Sequence, residues 1–253
     1  MSIMSNADSL QNMVRDHYPN AMSSANFKKE VLRFLVDQGF KDVSKVLLAV
    51  SQCADDVNAL RDADVTVVRR HFSSHLLGPF ELGGLAGIPY GGLTGISTIA
   101  HHVPDDGIAL IVYGPHIGLS CKGHLGKLMR PGQAHESAAC GSLTLAVQNI
   151  MTQDHFAPYA DPDDLEQGTL ERKLLPFKDQ IVQSENPLKT ATDIVYSIIK
   201  ASIYSYLHTK REAFALGRVL LAGTITINTS PDHDDYIDLR DLEAFHLRNI
   251  ESI

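Results

Sequence analysis

The run "GIALIVYG", from Gly107 to Gly114, sets six apolar residues in a row between two glycines, with no polar alternation. A segment of that length and pattern is a strand covered on both faces, as the inner strands of a mainly parallel sheet flanked by helices are. Pro115 and His116 follow at its carboxyl end, the rim on which such sheets assemble their sites.

The rest of the chain repeats this grammar. "KVLLAV" (Lys45 to Val50) reads as a second buried strand and "RVLLAGTITIN" as a further one. Asn26 is placed to cap a helix that carries Phe27, Val31, Leu32, Phe34 and Leu35 on one side and ends at Gly39. Further helices are expected over Asp62 to Phe72, over "SAACGSLTLAVQNIM" with Cys140 in its first turn, and around Ile194, Ile198, Ile199 and Ile203. "APYADPDDLEQG" reads as a loop. Strand, helix and glycine loop thus alternate in the order of an α/β fold with a mainly parallel sheet. Residues 1–44 are expected to form a helical arm packed on the core, and residues 45–253 one α/β domain.

Charge and apolar runs exclude several functions. Acidic residues outnumber basic ones 30 to 22, a net charge of -8, so no nucleic-acid partner is expected. No apolar run approaches the roughly 20 residues of a bilayer-spanning helix, and the first residues lack the apolar block of a secretory signal. A soluble, cytoplasmic protein with no membrane association is expected. The three cysteines, Cys53, Cys121 and Cys140, are too few and too odd in number for a disulfide scaffold, which points to a reducing compartment and to thiol or metal chemistry.

Cys53, His116 and Cys140 each fall where an apolar strand ends or a helix begins, so the fold directs all three toward one rim. Two thiolates and an imidazole suit zinc, and three protein ligands leave the fourth tetrahedral position open, as catalytic sites do. Their spacing holds no Cys-x-x-Cys pair, and buried cysteine or a lone packing histidine remains the alternative for each. Asp55 follows Cys53 by two residues, as a helix-capping acid or as a carboxylate beside the metal; in the second role it needs a cationic partner, for which Arg69 and Arg70 are the candidates. A thiol hydrolase using Cys53 or Cys140 with His116 as base lacks a nucleophile elbow.

The glycine-rich segment from Glu81 to Gly95 contains no lysine, which removes a P-loop. It is expected to bring main chain against the metal site and to leave a narrow pocket lined by Leu85, Ile88, Pro89 and Tyr90, or else to be a tight structural crossover. His101 and His102 read as a surface-loop pair able to relay protons, Cys121 as a spare thiol, and "PDHDDYIDL" as a solvated acidic turn.

Taken in order, "CADDVN", "GGLAGIPYGGLTG", "HHVPDDG", "YGPHIG" and "ACGS" resemble the limiting-CO2-inducible B protein family, a group of β-type carbonic anhydrases also called the theta class. The resemblance runs strongly from Val46 to Met151, and "AGTITINT" is consistent with it. It implies a β-carbonic-anhydrase-like fold and a Zn2+ site of Cys53, His116 and Cys140. It also implies Asp55 as the catalytic aspartate with Arg70, or Arg69, beside it, and a homodimer. The implied activity is reversible hydration of CO2 to bicarbonate by zinc-bound hydroxide, with a catalytically inactive CO2- or bicarbonate-binding scaffold or sensor in inorganic-carbon uptake as the alternative. Ordinary β-carbonic anhydrases carry Cys-x-Asp-x-Arg and His-x-x-Cys; here Val57 stands at the arginine position and the His116 to Cys140 interval is far longer.

Overall fold

In the computed structural model, which describes residues 6–58, 79–152, 162–230 and 232–247, all six residues of the Ile108–Tyr113 strand are buried. In chain order the described elements are α1 (Asn6–His17), β1 (Met22–Ser23), α2 (Ser24–Asp37), β2 (Val46–Ser51), β3 (Phe80–Glu81), α3 (Gly92–His102), β4 (Ile108–Tyr113) and β5 (His116–Gly118). There follow β6 (Lys127–Leu128), β7 (Ser137–Ala138), α4 (Gly141–Thr152), α5 (Leu165–Leu174), α6 (Lys178–Val182), α7 (Pro187–Thr209), β8 (Arg218–Asn228) and β9 (Tyr236–His246).

The main sheet has the order β1-β9-β8-β4-β2-β3, and β5 also pairs with β8. Its centre is parallel: β4 lies between β2, with Val46 opposite Ile108, and β8, with Leu110 opposite Leu220. Strand β9 closes one side antiparallel to β8, and β1 pairs antiparallel with its start. Alternate residues serve opposite faces. Leu48, Val50, Leu110 and Val112 meet Phe27, Val31 and Leu35 of α2, whereas Ala49, Ile111 and Tyr113 belong to the larger cluster built with α4 and α7. The mainly parallel α/β architecture expected from the apolar runs is therefore present, with helices on both faces.

Helix boundaries differ from expectation in instructive ways. The cap of α2 is Ser23, whose Oγ accepts the Asn26 N–H at 3.4 Å, because β1 pins the chain to β9 immediately before the helix and lets Ser24 be its first residue. Gly39 ends that helix at φ +92° with its N–H on Val36 O. Helix α4 begins at Gly141, so Cys140 lies just ahead of its first turn, its carbonyl accepting the Thr144 N–H. The expected loop at "APYADPDDLEQG" is helical from Leu165 onward. Leu10, Val14 and Tyr18 of the amino-terminal segment are buried in the main cluster. The helix expected over Asp62 to Phe72 lies outside the described residues.

The kink between β4 and β5 positions His116. Gly114 adopts φ +147°, and a Cβ there would stand 1.7 Å from the carbonyl oxygen of Thr224. The chain therefore bends tightly against β8 and resumes pairing at His116, opposite Thr226. Gly114→Ala is expected to destabilise the fold by on the order of 4 kcal/mol or more, since neither backbone can retreat from the sheet. A urea unfolding midpoint unchanged from the parent protein would refute this account of the kink.

Candidate metal centre

Each donor owes its place to a different element. Cys53 lies two residues beyond β2, His116 opens β5 after the kink, and Cys140 precedes α4. All three side chains are buried, and their sulfur and nitrogen donor atoms lie within 4.8 Å of one another. The two sulfurs stand 3.5 Å apart. Thiolates bound about 2.3 Å from one tetrahedral zinc ion are separated by a little under 4 Å, so small side-chain adjustments admit the ion.

The surroundings complete the fit. The glycine-rich segment turns through Ala86, whose N–H donates to Cys53 Sγ at 3.2 Å, while Ser142 Oγ lies 3.0 Å from Cys140 Sγ. That close approach requires Gly87 at φ +83°, where a Cβ would meet Gly114 O at 2.6 Å. His116 holds Asn228 Oδ1 through Nδ1 at 2.6 Å, and its buried Nε2 has no hydrogen-bond partner among the described residues. An imidazole nitrogen left bare beside two sulfurs is a donor that a metal ion could satisfy.

Without an ion the donors compete for protons. Their mutual hydrogen bond drives the thiols apart: Cys140 falls well below the ordinary thiol range, and Cys53 is pushed up, with burial adding to its rise. Burial opposes charge on His116, but the Cys140 thiolate and Asp55 outweigh it and raise its pKa. A bound dication removes this competition by replacing the protons.

Asp55 is a neighbouring carboxylate, its Oδ2 3.8 Å from His116 Nε2. Burial, joined by a hydrogen bond with Asp56, pushes its pKa up, against the pull of His116 and Arg130. Its guanidinium partner among the described residues is Arg130, at 2.9 Å from Oδ1; Arg69 and Arg70 lie outside those residues. Arg130 projects from the β6–β7 hairpin loop and also bonds Asp56, Ser137 Oγ and Ala138 O. Its one faint trace in the sequence is membership of the basic stretch from Lys122 to Gln133.

Other expectations are revised. The cavity beside Cys53, about 250 Å³, is lined by Gln52, Ala54, Asp55, Asn58, Glu81 and Gly83. Leu85, Ile88, Pro89 and Tyr90 do not line it: Glu166 holds the Leu85 N–H and the Tyr90 hydroxyl, and Ile88 and Pro89 are buried. His101 and His102 occupy the last turn of α3, which leads into the start of β4. Six strand residues, about 20 Å, thus separate that end of the sheet from the end carrying His116, too far for direct proton transfer. Cys121 is exposed, with Ser230 Oγ at 3.0 Å from its sulfur. "PDHDDYIDL" is not wholly solvated, since Asp235 is buried and accepts the Thr229 N–H and the Asn228 amide.

No described helix is long and apolar enough to cross a membrane. The family described as limiting CO2-inducible proteins B/C beta carbonic anhydrases matches residues 21–245. The crystal structure of PtLCIB4, a homolog of the limiting CO2-inducible protein LCIB, is similar at a TM-score of 0.83 and 28% identity, over 94% of this chain and 96% of that one. The crystal structure of LCIB itself shares the fold at a TM-score of 0.62 and 14% identity, over 92% of this chain and 93% of that one. Among curated protein sequences none matches. With a family match across most of its length and a buried Cys-His-Cys group, the chain belongs to the limiting CO2-inducible protein B/C family of β-carbonic-anhydrase-like proteins.

Proposed function

We propose that the protein is a zinc-dependent carbonic anhydrase catalysing the reversible hydration of CO2 to bicarbonate. The observation that carries this reading is the bare, buried Nε2 of His116 facing two cysteine sulfurs, a set of three donors where a closed structural site has four. Zinc held by Cys53, His116 and Cys140 supplies Lewis acidity, which makes water a nucleophile near neutral pH.

The chain's own groups do the rest. Asn228 fixes the His116 ring by accepting its Nδ1–H. Arg130 grips Asp55 through Oδ1, leaving Oδ2 turned toward the donor cluster, where it accepts a hydrogen bond from the attacking water and aims its lone pair. Val57, Leu128 and Ala139, from the segments that carry Asp55, Arg130 and Cys140, form a small buried apolar cluster that backs the site. A homodimer in a reducing, cytoplasmic setting fits the resemblance and the free thiols.

A second reading rests on the same carboxylate. Asp55 Oδ2 is close enough to His116 Nε2 to take the fourth position itself, which would make the protein an inactive CO2- or bicarbonate-binding scaffold. Stopped-flow CO2 hydration on protein of known zinc content separates the two. One zinc per chain with turnover well above the buffer rate is expected; a fully zinc-loaded protein without turnover would establish the scaffold.

A further inference from the structure

His116 binds a metal through Nε2 once that nitrogen has given up any proton, and the fold favours this by holding the other ring proton at Nδ1. The enforcing group is found by following acceptors outward. Cys53 O can only accept, so the Asn58 side chain turns its NH2 to it, at 3.2 Å. The Asn58 amide oxygen is then the end that meets Asn228, at 3.3 Å, and it requires NH2 from that residue. Asp235 imposes the same orientation from another direction, its Oδ2 lying 3.0 Å from Asn228 Nδ2 while its Oδ1 takes the Thr229 N–H at 2.6 Å.

With both its N–H bonds committed, Asn228 has only its oxygen left for His116, and Nδ1 must carry the proton. Asn228 and Asp235 are buried, so water does not compete for these bonds. The end of β8 and the turn before β9 thereby set the chemistry of a residue on β5. The same amide also ties the His116 strand to the Cys53 loop through Asn58.

We infer that Asp235 and Asn228 are positioning residues that preset His116 for zinc by locking its Nδ1–H form. The inference rests on Cys53, His116 and Cys140 being a zinc site. It predicts a definite chemical consequence for Asp235→Asn: a carboxylate accepts at both oxygens, an amide at one, so either Thr229 or Asn228 loses its acceptor. Zinc affinity is expected to fall about 10- to 100-fold, the usual effect of removing an outer partner of a ligating histidine. Adding Asn228→Asp should recover part of that loss, because the introduced carboxylate accepts from His116 and from the new amide at position 235 together, while Asn58 Oδ1 loses its donor.

The experiment combines zinc affinity by chelator competition with 15N spectroscopy of labelled histidine in the intact protein. The expected results are a protonated His116 Nδ1 in the parent, weakened zinc binding in Asp235→Asn, and partial recovery in the double variant. Unchanged zinc affinity in Asp235→Asn, or a loss with the His116 Nδ1 signal unchanged, overturns the positioning role while leaving the zinc site standing. A parent protein that binds no zinc yet shows the protonated Nδ1 would instead remove the zinc reading and keep the lock. Should Asp235→Asn fail to fold, the parent spectrum decides, for an unprotonated Nδ1 there ends the inference.

Discussion

Cys140→Ser is expected to cost the protein its stoichiometric zinc and reduce CO2 hydration to the buffer rate. Structural zinc sites with four ligands bind with about 10–16 kcal/mol, so one thiolate accounts for about 3–4 kcal/mol, or two to three powers of ten in Kd. Serine leaves a hydroxyl near Ser142 Oγ and no thiolate beside His116, with Cys53 now lacking its sulfur neighbour. Since Cys140 stands ahead of α4 rather than within it, the helix itself is not expected to suffer. Circular dichroism should match the parent while elemental analysis finds little zinc. A variant that keeps one zinc per chain would remove Cys140 from the ligand set. Loss of zinc would equally dispose of a cysteine hydrolase, which requires none.

Asp55→Asn is expected to retain zinc and lose turnover by about 100-fold or more, the scale on which a positioned acid or base acts. The amide keeps the shape of the carboxylate and can still meet Arg130, but its NH2 end cannot accept from water. Zinc stoichiometry and kcat measured on the same sample test the point, and undiminished kcat would take Asp55 out of the mechanism. The same variant bears on the scaffold reading: if Asp55 closes the site by occupying the fourth position, weakening that occupancy should raise activity instead of lowering it.

The candidate ligands were legible because strand ends are legible. A buried run such as "GIALIVYG" must stop where its sheet stops, and His116 follows at once. Cys53 and Cys140 were visible by the same logic, and the ordered motifs gave them a chemical context. Arg130 was not, since it reaches Asp55 across 75 positions only because β6 and β7 fold back and present their loop. Asn228 was hidden in another way: it is the last residue of an otherwise ordinary strand, and only the parallel register of β5 with β8 sets it beside His116. His101 and His102 illustrate the reverse error. Their basicity was plain from the sequence, but the direction of α3 takes them to the far end of the sheet.

Strand β8 also bears on how the donor group assembles. All three candidate donors lie at or before Cys140, yet β8, which flanks β4 and pairs with β5, begins only at Arg218. The place of His116 beside the two cysteines therefore depends on a strand far beyond them in sequence. The donor group is a product of long-range sheet pairing and cannot be preassembled by any short stretch of the chain.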